Sequence, residues 1–140
     1  MLDADYFAQN ALNNCCLINL EDMLQNGTVI NGVMIEKPHK FLTAMTIATQ
    51  IILGVSSSQY GGCTVSMTHL APFVRDSYNK YLKEIEQELE TVDIGSNKDD
   101  LIEDIAKKRL KKEIEAGVQT FNYQVNSMTN TNRTSTFSFC

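Results

Sequence analysis

Asn13-Asn14-Cys15-Cys16-Leu17-Ile18-Asn19-Leu20-Glu21-Asp22-Met23-Leu24-Gln25-Asn26-Gly27-Thr28 sets two adjacent cysteines at the head of a short apolar run and closes on Asn-Gly. Asn-Gly is a turn signal, because both residues tolerate positive φ. The pattern predicts a buried strand running into a short helical turn. Neighbouring side chains on a strand point to opposite faces, so Cys15 and Cys16 cannot both face one cavity. One thiol looks into a site and the other into the packing behind it. By itself the dipeptide fits ordinary packing better than catalysis, since a buried cysteine usually behaves as a small hydrophobe.

The whole chain has 140 residues, 43% of them apolar, which is one modest domain with material for a core. Its net charge of −5 argues against general affinity for nucleic acid or anionic membranes, although a nucleotide can still bind through local backbone amides and a few cations. Met1-Leu2-Asp3-Ala4-Asp5 is acidic where a signal peptide would be basic. The longest apolar run, Ile47 to Val55, is broken by Thr49 and Gln50 and is too short to span a bilayer. A cytoplasmic chain with no nucleic-acid or membrane partner is expected. The four cysteines, Cys15, Cys16, Cys63 and Cys140, form no C-x-x-C pair, and neither His39 nor His69 stands at ligand spacing from them. No metal site is expected, and free thiols are the default in a reducing compartment.

Beyond the opening stretch, Val29-Ile30-Asn31-Gly32-Val33-Met34-Ile35 reads as a small hairpin or extended loop turning at Asn31-Gly32. Pro38 closes it and favours a helix just beyond. Phe41 to Leu53 is apolar nearly all round, through Phe41, Leu42, Ala44, Met45, Ile47, Ala48, Ile51, Ile52 and Leu53. A helix without a polar face must be covered on every side. It is either a central core helix or a contact helix in a larger dimer. Gly54 is expected to end it. The small polar run Ser56-Ser57-Ser58-Gln59-Tyr60-Gly61-Gly62-Cys63-Thr64 follows. That run makes a tight turn or cradles a phosphate; it lacks the lysine and spacing of a P-loop, which favours the turn. Cys63 reads as an incidental buried thiol.

Pro72 opens a long amphipathic helix with apolar positions Val74, Tyr78, Tyr81, Leu82, Ile85, Leu89 and Val92. Its other face is charged, with i,i+4 pairs such as Lys80 and Glu84. Ser96-Asn97 and Asp99-Asp100 make a loop and N-cap. A second helix runs from about Leu101 to Met128 through Ile105, Leu110, Ile114, Val118, Phe121 and Val125. The basic run Lys107 to Lys112 has acidic neighbours at Glu103, Asp104, Glu113 and Glu115, which makes a solvated mixed-charge face rather than a polyanion site. The two helices should pair as an antiparallel hairpin.

Asn-Asn-Cys-Cys-Leu-Ile-Asn-Leu-Glu-Asp-Met-Leu-Gln-Asn-Gly, followed some thirty residues on by Ser58-Gln59-Tyr60-Gly61-Gly62 and later by Gly117-Val118-Gln119-Thr120-Phe121-Asn122-Tyr123-Gln124-Val125-Asn126, resembles the catalytic subunit of anaerobic (class III) ribonucleoside-triphosphate reductase. The resemblance runs from about Asp3 to Asn132. It implies an α+β, mostly helical piece of the ten-stranded α/β barrel of the ribonucleotide reductase and glycyl radical enzyme type. Residues 1–132 would hold the cysteine strand, the apolar helix and the helical hairpin; residues 133–140 form a divergent tail. Asp3-Ala4-Asp5-Tyr6-Phe7 matches the end of a family segment whose histidine half is replaced by Met1 and Leu2. The family would continue after Asn132 into another barrel strand where this chain reads Arg133-Thr134-Ser135-Thr136-Phe137-Ser138-Phe139-Cys140. A fragment or frame-shifted sequence is the expectation.

The same resemblance implies the chemistry. Reduction at the ribose 2′ position needs a radical at the 3′ carbon and a hydrogen donor beside it, and thiols suit both because the S–H bond is weak. Cys15, the first of the pair, takes the hydrogen-donor role, with Cys16 turned into the packing. The thiyl cysteine, the glycyl radical and the cysteine-bound metal of the family match nothing here. Cofactors are therefore expected in this chain only by association: a glycyl radical installed by a radical-SAM activating enzyme, ATP and deoxynucleotide effectors, and formate as reductant. Implied partners are a ribonucleoside triphosphate substrate, nucleotide effectors and a second subunit of a homodimer. These residues alone should not turn over. The rival reading is a non-catalytic helical dimerisation module in which the cysteines only pack.

Overall fold

In a computed structural model of the chain, residues 15–30, 32–58, 62–92, 95–129 and 137–139 are described. Strand β1, Cys15–Ile18, leads into helix α1, Leu20–Gln25. Asn19 caps α1, its side chain accepting from the Asp22 N–H at 3.4 Å, and Glu21 and Asp22 place negative charge at the positive end of the helix. Gly27 reverses the chain at φ +80. Strands β2, Thr28–Ile30, and β3, Val33–Ile35, then pair antiparallel, Val29 opposite Met34. The hairpin reading of this segment holds; Gly32 turns it at φ +79, and Asn31 lies outside the described residues.

Helix α2 spans Phe41–Ser58. It starts just beyond Pro38, as expected, but Gly54 does not end it. One glycine costs a helix about 1 kcal/mol relative to alanine, and the buried Ile51, Ile52 and Ser56 on either side carry the helix through. Nor is the helix without a polar face. Phe41, Ala44, Met45, Ala48, Ile51 and Ile52 are buried, whereas Thr43, Thr46 and Gln50 form an exposed stripe. The two polar residues on the buried side satisfy themselves within the helix: Thr49 Oγ1 donates to the Thr46 carbonyl at 2.6 Å and Ser56 Oγ to that of Leu53 at 3.1 Å. Of the two roles open to this helix, the central core helix is the one its own chain builds.

Besides the strand expected at Cys15 and the two of the hairpin, two further strands form among the described residues. Strand β4, Gly62–Val65, emerges from the run read as a loop, and β5, Phe137–Phe139, from the tail read as divergent. Both pair in parallel within one sheet of order β1-β4-β5. The α1–hairpin–α2 segment makes the crossover from β1 to β4.

After a short 3₁₀ turn at Met67–Leu70, helix α3 runs Ala71–Leu89 with Pro72 in its first turn. A second 3₁₀ turn, Gly95–Asn97, leads to helix α4, Lys98–Thr129. The hairpin is antiparallel: Ser77 of α3 and Glu113 of α4 meet the same helix end, while Glu88 of α3 meets Arg109 further back along α4. The buried face of α4 is only partly the expected one: Phe121 is buried and Ile105, Ile114 and Val125 pack half-buried against the cores. Ile102, Ala106, Gly117 and Phe121 face inward, whereas Leu101 and Val118 are exposed. On α3 the fully buried residues include Phe73 and Ser77, neither of which belongs to the expected stripe. The main core gathers Ile18, Leu20, Leu24, the inner face of α2, Cys63, Val65, Leu70, Phe73 and Phe121; a smaller one joins Ile85 to Ile102 and Ala106. The fold is α+β and mostly helical.

Candidate active-site strand

β1 and β4 run side by side with Cys15 opposite Gly62, Cys16 opposite Cys63, Leu17 opposite Thr64 and Ile18 opposite Val65. Strand parity sorts these positions into two rows. Ile18, Cys63 and Val65 are buried against the helices. Leu17 is 73% exposed and Thr64 half-buried. Position 16 belongs to the buried row and position 15 to the other. The surroundings of the two thiols lie outside what is described, so the assignment of Cys15 rests on backbone register. Cys63 is buried, as expected.

The sheet is parallel throughout, and parallel sheets are ordinarily covered on both faces. Here the helices cover one. The row of Leu17 belongs to the other, which the described residues leave open.

Helix α2, which backs this sheet, is fixed at its N-terminus by two side chains from elsewhere. The Phe41 N–H donates to Ser77 Oγ at 2.8 Å and the Leu42 N–H to Glu113 Oε1 at 3.3 Å. Free N–H groups at a helix start need such acceptors, and a carboxylate there also meets the positive end of the dipole. Nearby, burial foremost and then the charge of Glu113 raise the phenol pKa of Tyr81. Ser77 and Glu113 were missed in the sequence because a polar residue on a helix ordinarily reads as surface. Their one signal is that each interrupts an apolar stripe.

Among the described residues no three His, Cys, Asp or Glu side chains gather to hold a metal. His69 Nε2 lies 4.0 Å from Glu21 Oε2. A cleft of about 180 Å³ between α1, the hairpin and α2 is lined by Met23, Val29, Ile30, Ile51, Gly54 and Val55, with no charged side chain among these. No described helix is long and apolar enough to cross a membrane. Asp3-Ala4-Asp5-Tyr6-Phe7, Gln59-Tyr60-Gly61 and residues 130–136 lie outside the described residues.

The family model for anaerobic ribonucleoside-triphosphate reductase matches residues 1–138. Proteins of that name are similar along most of the chain. The one from Salmonella typhimurium is 37% identical over 128 residues, 90% of this chain and 17% of its own length. That from Enterobacteria phage T4 is 31% identical over 132 residues, 93% and 20%, and that from Haemophilus influenzae 35% identical over 132 residues, 93% and 17%. The chain thus spans a fifth or less of the length of the curated relatives it matches. With the match covering nearly every residue, this chain belongs to the anaerobic ribonucleoside-triphosphate reductase family.

Proposed function

We propose that the chain is the part of an anaerobic ribonucleotide reductase that carries the hydrogen-donor thiol, Cys15, on the first strand of an α/β barrel. The observation that carries this reading is the register of β1: position 15 falls in the row of Leu17, away from the helices, while position 16 falls in the buried row of Ile18. A thiol at 15 then stands on the uncovered side of a parallel sheet, where a ribose enclosed by further strands would lie. The substrate is a ribonucleoside triphosphate and the product its 2′-deoxy counterpart. In the complete enzyme a glycyl radical and a thiyl group, neither of them matched in this chain, would generate the substrate radical. What this chain contributes is a hydrogen atom from Cys15 to the 2′ carbon as the hydroxyl leaves as water, with formate restoring the reducing equivalents. Nucleotide effectors, a radical-SAM activating enzyme and a second subunit belong to the same reading.

The helical-module alternative is not favoured, because it gives no reason for a two-row strand with one row open. The test places Cys15→Ser and Cys16→Ser separately in an intact, activated reductase bearing this segment. Cys15→Ser should lower deoxyribonucleotide formation by roughly 10²-fold or more, as expected for loss of a reacting group. Cys16→Ser should retain turnover. The reverse ranking would refute the assignment.

A further inference from the structure

Cys16 and Cys63 are register partners on adjacent parallel strands, in a row in which Ile18, Cys63 and Val65 are buried. Neighbouring strands lie about 4.7–4.9 Å apart, inside the Cα separation of about 4.4–6.8 Å that a disulfide spans. Cys15 is opposite Gly62 and belongs to the other row, so the register leaves Cys63 one cysteine as its neighbour across the ladder. We propose that Cys16 and Cys63 form an oxidant-sensitive pair that closes reversibly into a disulfide between β1 and β4. This goes beyond the hydrogen-donor reading and stands without it.

A small organic disulfide is the oxidant. The Cys16 thiolate attacks one of its sulfurs, forming a mixed disulfide and releasing one small thiol. The Cys63 thiolate then attacks the Cys16 sulfur; the new bond joins the two protein sulfurs and the mixed disulfide breaks, releasing the second small thiol. Two electrons pass from the protein thiols to the small disulfide, and their two protons end on the released thiols. Cys63, only 1% exposed, takes the second step, in which its target is the neighbouring strand rather than a molecule from solvent. β1, at the edge of the sheet formed by the described residues, takes the first, when fraying of that edge strand uncovers Cys16. Two Cβ atoms in one row of a parallel pair keep close to the strand spacing of about 4.7–4.9 Å, beyond the roughly 3.5–4.5 Å of an unstrained cystine, so closure draws the strands together locally and the strained bond reopens readily with a dithiol. Closure pins the strand carrying Cys15 without consuming that thiol.

The experiment treats the reduced full chain with oxidised glutathione, blocks remaining thiols by alkylation, and locates linkages by digestion and fragmentation mass spectrometry. The expected product has lost two hydrogens, links Cys16 to Cys63, and carries alkylated Cys15 and Cys140. It should exceed every other pairing by roughly tenfold, because the folded register supplies a high effective concentration, and dithiothreitol should reverse it. Cys63→Ser should stop at the glutathione adduct of Cys16, and Cys140→Ser should leave the linkage intact. A Cys15–Cys16 or Cys15–Cys63 linkage as the main product, glutathione adducts alone, or the distribution of pairs found in denaturing urea would each overturn the proposal.

Discussion

An alanine at position 117 would set its Cβ 2.7 Å from Cε1 and 3.3 Å from Cδ1 of Phe41, a ring that is itself buried. Helix propensity favours the alanine by about 1 kcal/mol, whereas forcing a packed ring aside costs about 1–3 kcal/mol. Gly117→Ala should therefore lower the unfolding free energy, by about 1 kcal/mol, in urea titration. Gly54 makes the control. It too lies within a helix, but an added Cβ meets no heavy atom within 4 Å, so Gly54→Ala should stabilise by about 0.5–1 kcal/mol. Equal signs at the two sites would remove the close approach of α2 and α4 as an explanation for Gly117. At this scale the strand at Cys15–Ile18 was legible, and strand parity puts positions 15 and 16 in different rows. Gly117 was not, since a glycine selected for what it leaves empty adds nothing to a hydrophobic pattern.

The helices show how far periodicity carries. Spacings of three and four residues located the hairpin and its two members and found Phe121 on the inner face of α4, yet put the exposed Val118 there and passed over Ile102, Ala106 and Gly117. The true face is lined partly by small residues, which permit close helix contact but score as weakly apolar. The N-terminus of α2 was illegible for a different reason, since its acceptors come from 36 and 71 residues away. Ser77→Ala would leave the Phe41 N–H buried without its acceptor, at a cost of about 1–2 kcal/mol. Ser66→Ala, which removes an exposed hydroxyl contact with Thr68, should stay within about 0.5 kcal/mol. Similar losses at both serines in thermal unfolding would argue against the remote cap. The hairpin also carries a pH signature. A charged hydrogen bond from Arg109 at 2.9 Å holds the Glu88 carboxyl below its ordinary pKa. Its contribution is present above the unfolded-state pKa and is lost as pH falls through the lower folded value. Both groups are solvent-facing, so the effect is small and fades with salt. Arg109→Gln should flatten that part of the acid limb at low ionic strength and change nothing at neutral pH beyond the pair itself.

The sheet belongs to the whole molecule. Its middle strand comes from a Ser- and Gly-rich run that reads as a turn, and becomes a strand only because β1 and β5, distant in sequence, flank it. No local pattern in Gly62-Cys63-Thr64-Val65 announces that pairing. The completed sheet then has one face under the helices and one that the described residues leave open, which sets apart two neighbours on the same strand. Ile18 is 4% exposed and Leu17 is 73% exposed. Ile18→Ala should cost about 2–5 kcal/mol wherever it is measured, because it opens a cavity in the core. Leu17→Glu should be nearly neutral, within about 0.5 kcal/mol, in the 140-residue chain. In an intact reductase the proposed barrel closes over that face, and the same carboxylate is buried without a partner at a cost of several kcal/mol. There Leu17→Glu should abolish stable folding or turnover. The pair of unfolding measurements, short chain against intact enzyme, decides the point. A Leu17→Glu penalty that stays small in both would mean that the open face remains open, and that the row holding Cys15 is not the wall of a substrate cavity.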